Sequence, residues 1–281
     1  MKAELTLTHA RHDPAHCLAP GLFRSLERGE RKKQKLDITY SYSDGEVARF
    51  TGFEPLGADD LRVLQGLVAM AGANGASLSP EPKTENGRHL RELIDPKFDA
   101  VEQRACMVRT AMRRLLAELG LSGGGKSMEN VVASLHRMSN VTVLVKKDSR
   151  QASFHLLSYA FDSQDGTLLV ALNPRLARVA LGDVKKHARI EMSEVRALHT
   201  SPARLMHQRL CGWIDPGKSG KVEIDTLCGY VWPDESSNPN TVKTRRQTAR
   251  RALDELAAVG WTVSEYAHGK WEIKRPAATA T

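Results

Sequence analysis

Asn240-Thr241-Val242-Lys243-Thr244-Arg245-Arg246-Gln247-Thr248-Ala249-Arg250-Arg251-Ala252-Leu253-Asp254-Glu255-Leu256-Ala257-Ala258-Val259-Gly260 carries the period of a helix with two unlike faces. At about 100° per residue, Val242, Ala249, Leu253 and Leu256 fall on one stripe. Lys243, Thr244, Gln247, Arg250 and Arg251 face away from it. Every basic residue of the run precedes Asp254 and Glu255, so positive charge gathers in the half that a DNA groove would receive. Gly260 supplies the C-terminal stop. Directly after it, Trp261-Thr262-Val263-Ser264-Glu265 and Trp271-Glu272-Ile273-Lys274-Arg275 alternate in period two around Ala267-His268-Gly269-Lys270, which predicts a β-hairpin. A basic helix followed at once by a hairpin is the recognition helix and wing of a winged helix.

The residues before this run supply the rest of such a domain. Ile190-Glu191-Met192 is strand-like and leads into Ser193 to Leu198. Ser201-Pro202 predicts an N-cap followed by proline at the first helical position, with Met206, Leu210, Trp213 and Ile214 as the apolar face. Lys221 to Ile224 reads as a short strand, and Asp225 as the cap of a helix through Val231. Pro233 and Asn238-Pro239 bracket the turn into the basic helix. Helix, strand, helix, turn, helix, hairpin is the winged-helix order. The expected domain spans 188–276, with 277–281 as a disordered tail.

Residues 54–182 follow a similar plan. Asp59 and Asp60 start a helix by the dipole, and Leu61, Leu64, Leu67, Val68 and Ala71 continue it to Gly72. A short helix from Glu85 to Ile94 ends at Asp95-Pro96. Phe98, Val101, Ala105, Val108, Met112, Leu115 and Leu119 repeat at spacings of three and four, predicting a long helix over 97–119 with Arg104, Arg109, Arg113 and Arg114 off its stripe. Val141 to Lys146, Ser153 to Phe161 and Thr167 to Leu172 predict an antiparallel meander, with Lys146, Lys147 and Arg150 at its first turn. Asn173-Pro174 starts a short final helix. The expectation is therefore an α+β protein of two winged-helix domains in tandem, the first using 97–119 or 128–138 as its groove helix. Residues 1–53 read as an N-terminal basic arm, with Arg24, Arg28, Arg31, Lys32, Lys33 and Lys35, and a hairpin turning at Asp44-Gly45.

Composition narrows the partners. The 281 residues carry 41 Lys+Arg against 33 Asp+Glu, a net charge of +8 that favours a polyanion. Aromatic content of 5% argues for a duplex reader over a surface that stacks single-stranded bases. Cys17, Cys106, Cys211 and Cys228 form no C-x-x-C, and no secretory apolar region or membrane-length run occurs, so a reducing cytoplasm and no membrane partner are expected. His12, His16 and Cys17 lack a second ligand pair at a familiar metal spacing, and no metal or cofactor is expected.

Gly120-Leu121-Ser122-Gly123-Gly124-Gly125-Lys126-Ser127 matches G-x-x-x-x-G-K-[ST] in full. A phosphate-cradling loop must follow a buried strand, whereas the residues before Gly120 read as helix. No apolar strand ending in Asp stands out downstream for magnesium. The segment reads instead as a helix-to-helix linker with Ser127 as N-cap.

Several longer strings carry a family resemblance. They include Arg11-His12-Asp13-Pro14-Ala15-His16-Cys17-Leu18-Ala19-Pro20-Gly21-Leu22-Phe23-Arg24, Pro55-Leu56-Gly57-Ala58-Asp59-Asp60-Leu61-Arg62 and Pro80-Glu81-Pro82-Lys83-Thr84-Glu85. Val170-Ala171-Leu172-Asn173-Pro174, His207-Gln208-Arg209-Leu210-Cys211-Gly212-Trp213-Ile214-Asp215-Pro216-Gly217-Lys218 and Ile224-Asp225-Thr226-Leu227-Cys228-Gly229-Tyr230-Val231-Trp232-Pro233 complete the set. With these the chain resembles the iteron-binding RepC replication initiators of IncQ-type plasmids over nearly its whole length. The resemblance implies binding of direct repeats at a plasmid origin, opening of adjacent AT-rich DNA, a part in plasmid copy control, and recruitment of the plasmid-encoded helicase and primase. The departures fall mostly between Val101 and Lys147.

The leading expectation is a non-enzymatic, sequence-specific duplex binder. Arg245, Arg246, Gln247 and Arg250 are candidates for base edges. Lys243, Arg251 and the wing residues His268 and Lys270 are candidates for phosphates, with Thr244 on the same exposed face. Arg109, Arg113, Lys146 and Lys147 would extend the footprint. The rivals are a P-loop nucleotide hydrolase acting at the origin and a winged-helix transcriptional repressor. A nicking enzyme is disfavoured because no His-x-His cluster accompanies a candidate tyrosine nucleophile.

Overall fold

The computed structural model describes residues 5–27, 29–42 and 45–278. Arg28 of the expected arm, Asp44 of the expected turn and the end of the tail from Thr279 lie outside the described residues.

The first half comprises β1 (His9–His12), α1 (Pro14–Leu18), a 3-10 turn at Glu30–Lys33, β2 (Leu36–Ser41), β3 (Val47–Gly52), α2 (Ala58–Asn74), β4 (Ala76–Leu78), α3 (Glu85–Ile94) and β5 (Lys97–Phe98). It continues through β6 (Ala105–Ala111), α4 (Met112–Glu118), α5 (Gly125–Ser139), β7 (Thr142–Lys147), β8 (Arg150–His155), β9 (Leu157–Phe161), β10 (Thr167–Leu172) and α6 (Pro174–Ala180). Then come β11 (Ala188–Glu191), α7 (Met192–Ala197), α8 (Ser201–Trp213), β12 (Ser219–Glu223), α9 (Ile224–Val231), α10 (Pro239–Ala258), β13 (Thr262–Ala267) and β14 (Lys270–Lys274). The strands form four antiparallel sheets, ordered β1-β11, β4-β6-β10-β9, β2-β3-β7-β8-β5 and β12-β14-β13.

Helix α2 is the central post. Every residue from Ala58 to Ala71 except Asp59 is buried: apolar side chains are spread around the helix, and the polar Asp60, Arg62 and Gln65 among them find hydrogen-bond partners inside the protein. Gly66 lets it meet the end of α4: a Cβ there would come within 2.5 Å of Leu119 Cδ2. Asp60 at its first turn accepts from the Gly57 amide at 2.8 Å and pairs with Arg31 at 2.8 Å and Arg137 at 2.7 Å. That knot ties the basic turn, α2 and α5 together.

Four expectations are corrected. Residues 97–111 are not helical. β5 and β6 replace the first two thirds of the expected helix, and α4 alone remains. β6 is a central strand, paired to β10 from Cys106↔Leu172 to Ala111↔Thr167 and to β4 on its other edge. Ala105, Cys106 and Val108 are all buried there, and a strand covered on both faces carries a near-continuous apolar run that mimics helical spacing. Arg91 pins the intervening turn by donating to the carbonyls of Val101 and Gln103, each at 2.6 Å, and of Ala100 at 3.2 Å.

The start of the basic arm is not a solvated tail. β1 pairs with β11 from His9↔Glu191 to His12↔Ala188, and His12, Asp13, His16 and Cys17 are buried. Asp13 caps α1 by accepting from the His16 amide at 3.2 Å. The meander is divided as well. Leu156 breaks it, so β7 and β8 join the five-stranded sheet while β9 and β10 join the four-stranded one. Caps shift by a residue or more: Thr200, not Ser201, accepts from the Ala203 amide at 3.3 Å, and α9 begins at Ile224 with Asp225 inside its first turn.

Candidate nucleic-acid interface

Asn238 caps α10, its side-chain oxygen accepting from the amides of Asn240 at 2.9 Å and Thr241 at 3.4 Å, and Pro239 occupies the first turn. Ala249, Ala252, Leu253 and Leu256 are buried against α8 and α9. Full burial of each leucine contributes about 1.5–3 kcal/mol, enough to fix which face of α10 looks outward. Val242, expected on the stripe, is only half-buried, and Ala252 takes part in its place.

On the outward face, Lys243, Thr244, Gln247 and Arg251 are exposed and Arg250 is half-buried. The other two arginines have protein partners. Arg246, exposed, makes a fork with Asp225 of α9, Nε to Oδ1 and Nη2 to Oδ2 both at 2.6 Å. The hydrogen bonds from Arg246 hold the Asp225 carboxyl below its ordinary pKa. Arg245 turns the other way. Its guanidinium lies 5.6 Å from the Trp232 ring centre and donates to the Asp234 carbonyl at 2.6 Å.

The hairpin stands beside this helix. β14 pairs with β12 on one side and β13 on the other, so the strand before α9 braces the hairpin. His268 and Gly269 form the turn, with Gly269 at φ +71, a conformation suited to a residue without Cβ. The Gly269 carbonyl accepts from the Ile224 amide at 2.8 Å and its amide donates to Glu265 at 2.6 Å. His268 and Lys270 are exposed, and Lys270 lies 3.8 Å from Glu223.

The first-half candidates do not gather on one helix. Arg109 is exposed on β6, opposite Leu169, and Arg113 is exposed on α4. Lys146 and Lys147 end β7, exposed beside Arg150 at the β7–β8 turn, and this hairpin follows α5 directly. Among the described residues a helix followed by a basic hairpin thus occurs both at α10–β13–β14 and at α5–β7–β8. By sequence alone Asp225 reads only as a helix cap, and no site role falls to Asp225, Trp232 or Asp234. Nothing local links Asp225 to Arg246, but an aromatic residue beside a proline just before a basic helix was a usable hint for Trp232.

The Gly120–Ser127 string begins at the end of α4 and enters the first turn of α5. Gly124, not Ser127, holds the cap position; Lys126 pairs with Glu129 at 3.4 Å and the Ser122 and Ser127 hydroxyls lie 2.8 Å apart. Of the metal-type side chains, His16 Nδ1 meets Asp13 at 2.9 Å in the core. Among the described residues a group of three donors forms elsewhere, from Glu194, His207 and Cys211.

Among solved structures, the fold is shared with domains 2 and 3 of RctB. One structure, of selenomethionine derivatives of those domains, matches at 12% identity with a TM-score of 0.56, covering 95% of this chain and 99% of that one. A second matches at 9% identity with a TM-score of 0.54, covering 94% and 97%. Among curated proteins none matches. The family model for Replication protein C (RepC) matches residues 4–277, and the chain belongs to that family of replication proteins. No helix among the described residues is long and apolar enough to cross a membrane.

Proposed function

We propose that the protein initiates plasmid replication by binding direct repeats at an origin as a double-stranded DNA reader built from two winged helices, one over 54–182 and one over 188–276. The observation that carries this reading is the outward face of α10. Lys243, Thr244, Gln247 and Arg251 are exposed, with half-buried Arg250 beside them, next to a braced hairpin with His268 and Lys270 at its tip. Membership of a replication-protein family and a net charge of +8 support it. Gln247 has the paired amide donor and acceptor that read an adenine edge, and Arg250 the forked donors that read guanine. Arg246 would do so from a position preset by Asp225, and Lys243, Arg251, His268 and Lys270 would hold phosphates. Arg245, seated on Trp232, would support the start of the helix. Lys146 and Lys147 on the β7–β8 hairpin behind α5 would reach a neighbouring stretch of duplex, with Arg109 and Arg113 flanking. Binding energy would open an adjacent AT-rich segment, where deformation is cheap, and the exposed complex would take up the helicase and primase. No bond-breaking step is required.

The test is quantitative binding and footprinting on repeat-containing and scrambled duplexes over a range of salt. Arg250→Ala should cost about 1–3 kcal/mol on the repeat and little on scrambled DNA. Lys243→Ala should weaken both alike and flatten the salt dependence by about one charge. Lys126→Ala should leave origin activity intact; its loss would favour a nucleotide-dependent mechanism. Equal losses on both duplexes for every α10 variant would remove the reading.

A further inference from the structure

The group formed by Glu194, His207 and Cys211 lies outside the DNA-facing surface. Glu194 is on α7, and His207 and Cys211 are four residues apart on α8, hence on one face of that helix. All three are buried, and one donor atom of each lies within 4.8 Å of the others. His207 Nε2 is the focus: Glu194 Oε2 is 2.5 Å from it and Cys211 Sγ is 3.5 Å from it. A carboxylate oxygen and a sulfur thus converge on a ring nitrogen that carries at most one proton, so one hydrogen cannot serve both well. Trp261 closes the side of the group, its ring edge-on to His207 with centroids 5.8 Å apart.

We propose that this group is a zinc site. Oxygen, imidazole nitrogen and thiolate sulfur are the donors that suit zinc, and two ligands at i and i+4 of one helix with a third from its neighbour give three protein ligands, the number found where zinc keeps one position open. Bonds of about 2.0–2.3 Å at tetrahedral angles place ligand atoms about 3.3–3.8 Å apart, so the ion enters if Glu194 Oε2 retreats by about 1 Å. Ligands bind zinc in their deprotonated forms, so any protons the three donors carry are released to solvent on binding. The fourth position goes to a solvent molecule. Bound there, zinc would fasten α7 to α8, the helix on which α10 packs.

The full chain, stripped by a chelator, is titrated with Zn²⁺ against a chromophoric competitor and separately with Co²⁺. One equivalent of zinc should bind, and cobalt should give a thiolate charge-transfer band in the near ultraviolet. Cys211→Ser should abolish that band, and Cys211→Ser and Glu194→Gln should each weaken zinc by about tenfold or more. Circular dichroism establishes that each variant is folded, and Cys17→Ser serves as a folded control that should keep the band. Absence of stoichiometric binding overturns the proposal, as does a band that survives Cys211→Ser or disappears in Cys17→Ser.

Discussion

Replacing Asp60 with asparagine should unlock the position of α5 and remove roughly a fifth to three fifths of a typical protein's stability. The Asp60 carboxylate is fully buried and accepts from Gly57 N and Arg31 Nη1 at 2.8 Å each and from Arg137 Nη2 at 2.7 Å and Nε at 3.0 Å. Asparagine keeps the volume but removes the charge and turns one acceptor into a donor facing a donor. Removing one partner of a buried ion pair costs about 3–5 kcal/mol, because the remaining charge stays desolvated. The Arg31 side chain is 27% exposed and the Arg137 side chain 17%, so water recovers part of that loss. The lower end applies, about 3 kcal/mol, against a total of roughly 5–15 kcal/mol for a folded protein. Urea unfolding followed by circular dichroism measures it. Arg137→Gln added to Asp60→Asn should cost less than Arg137→Gln alone, with a coupling of about 1–3 kcal/mol. A loss below about 1 kcal/mol, or strictly additive variants, would refute the idea that this knot holds α5.

Two more outcomes follow from buried and exposed charge respectively. Burial first, and then the neighbouring His16, push the His12 pKa from 6.5 down to about 4. A lowered histidine pKa means the unfolded chain takes up the proton first, so this contribution is complete above pH 6.5 and is lost as pH falls to 4; the stability difference between wild type and His12→Gln should shift by about 3 kcal/mol between pH 7 and pH 4, and a constant difference would contradict it. Asp225→Ala removes a solvent-exposed partner and should barely alter the melting temperature. It should raise affinity for scrambled duplex by removing a negative charge near phosphate, while the preference for the repeat falls about two- to tenfold as Arg246 loses its preset orientation. An unchanged preference in competition binding would show that Arg246 reads nothing.

What was legible in the sequence was local. The end of α3 follows from Asp95-Pro96 as stop, and the α10 hairpin unit follows from one helical stripe, one glycine and two alternating runs. Long-range pairing was not legible. His9–His12 is a strand only because Ala188–Glu191 lies beside it, and Ala105–Ala111 is a strand only because β4 and β10 flank it. The same division holds within the candidate site. Lys243, Thr244, Gln247 and Arg251 are exposed as the projection predicts, because a helix fixes its own faces. Arg245 and Arg246 are engaged by Trp232 and Asp225, residues whose proximity is a product of tertiary packing.

That packing bears on how the proposed opening of DNA could be driven. α8 carries α9 and α10 on one side and meets α1 and α2 on the other. At the second contact Gln65 Nε2 donates to Gln208 Oε1 at 2.6 Å, and Gln208 donates to Cys17 Sγ at 3.3 Å, all within the core. Smooth bending of a site of twenty to thirty base pairs costs about 1–6 kcal/mol. A reader with two duplex contacts can impose that strain only if the body between them is stiffer than the DNA. Buried hydrogen bonds in a continuous apolar cluster meet that condition, whereas a glycine-rich linker between the two contacts would let the protein bend in place of the duplex. The one glycine-rich string, Gly120–Ser127, runs between α4 and α5 within the first half, while the path from α5 to α10 passes through the Asp60 knot, α2 and α8. Loosening that path should therefore reduce origin opening more than it reduces repeat binding.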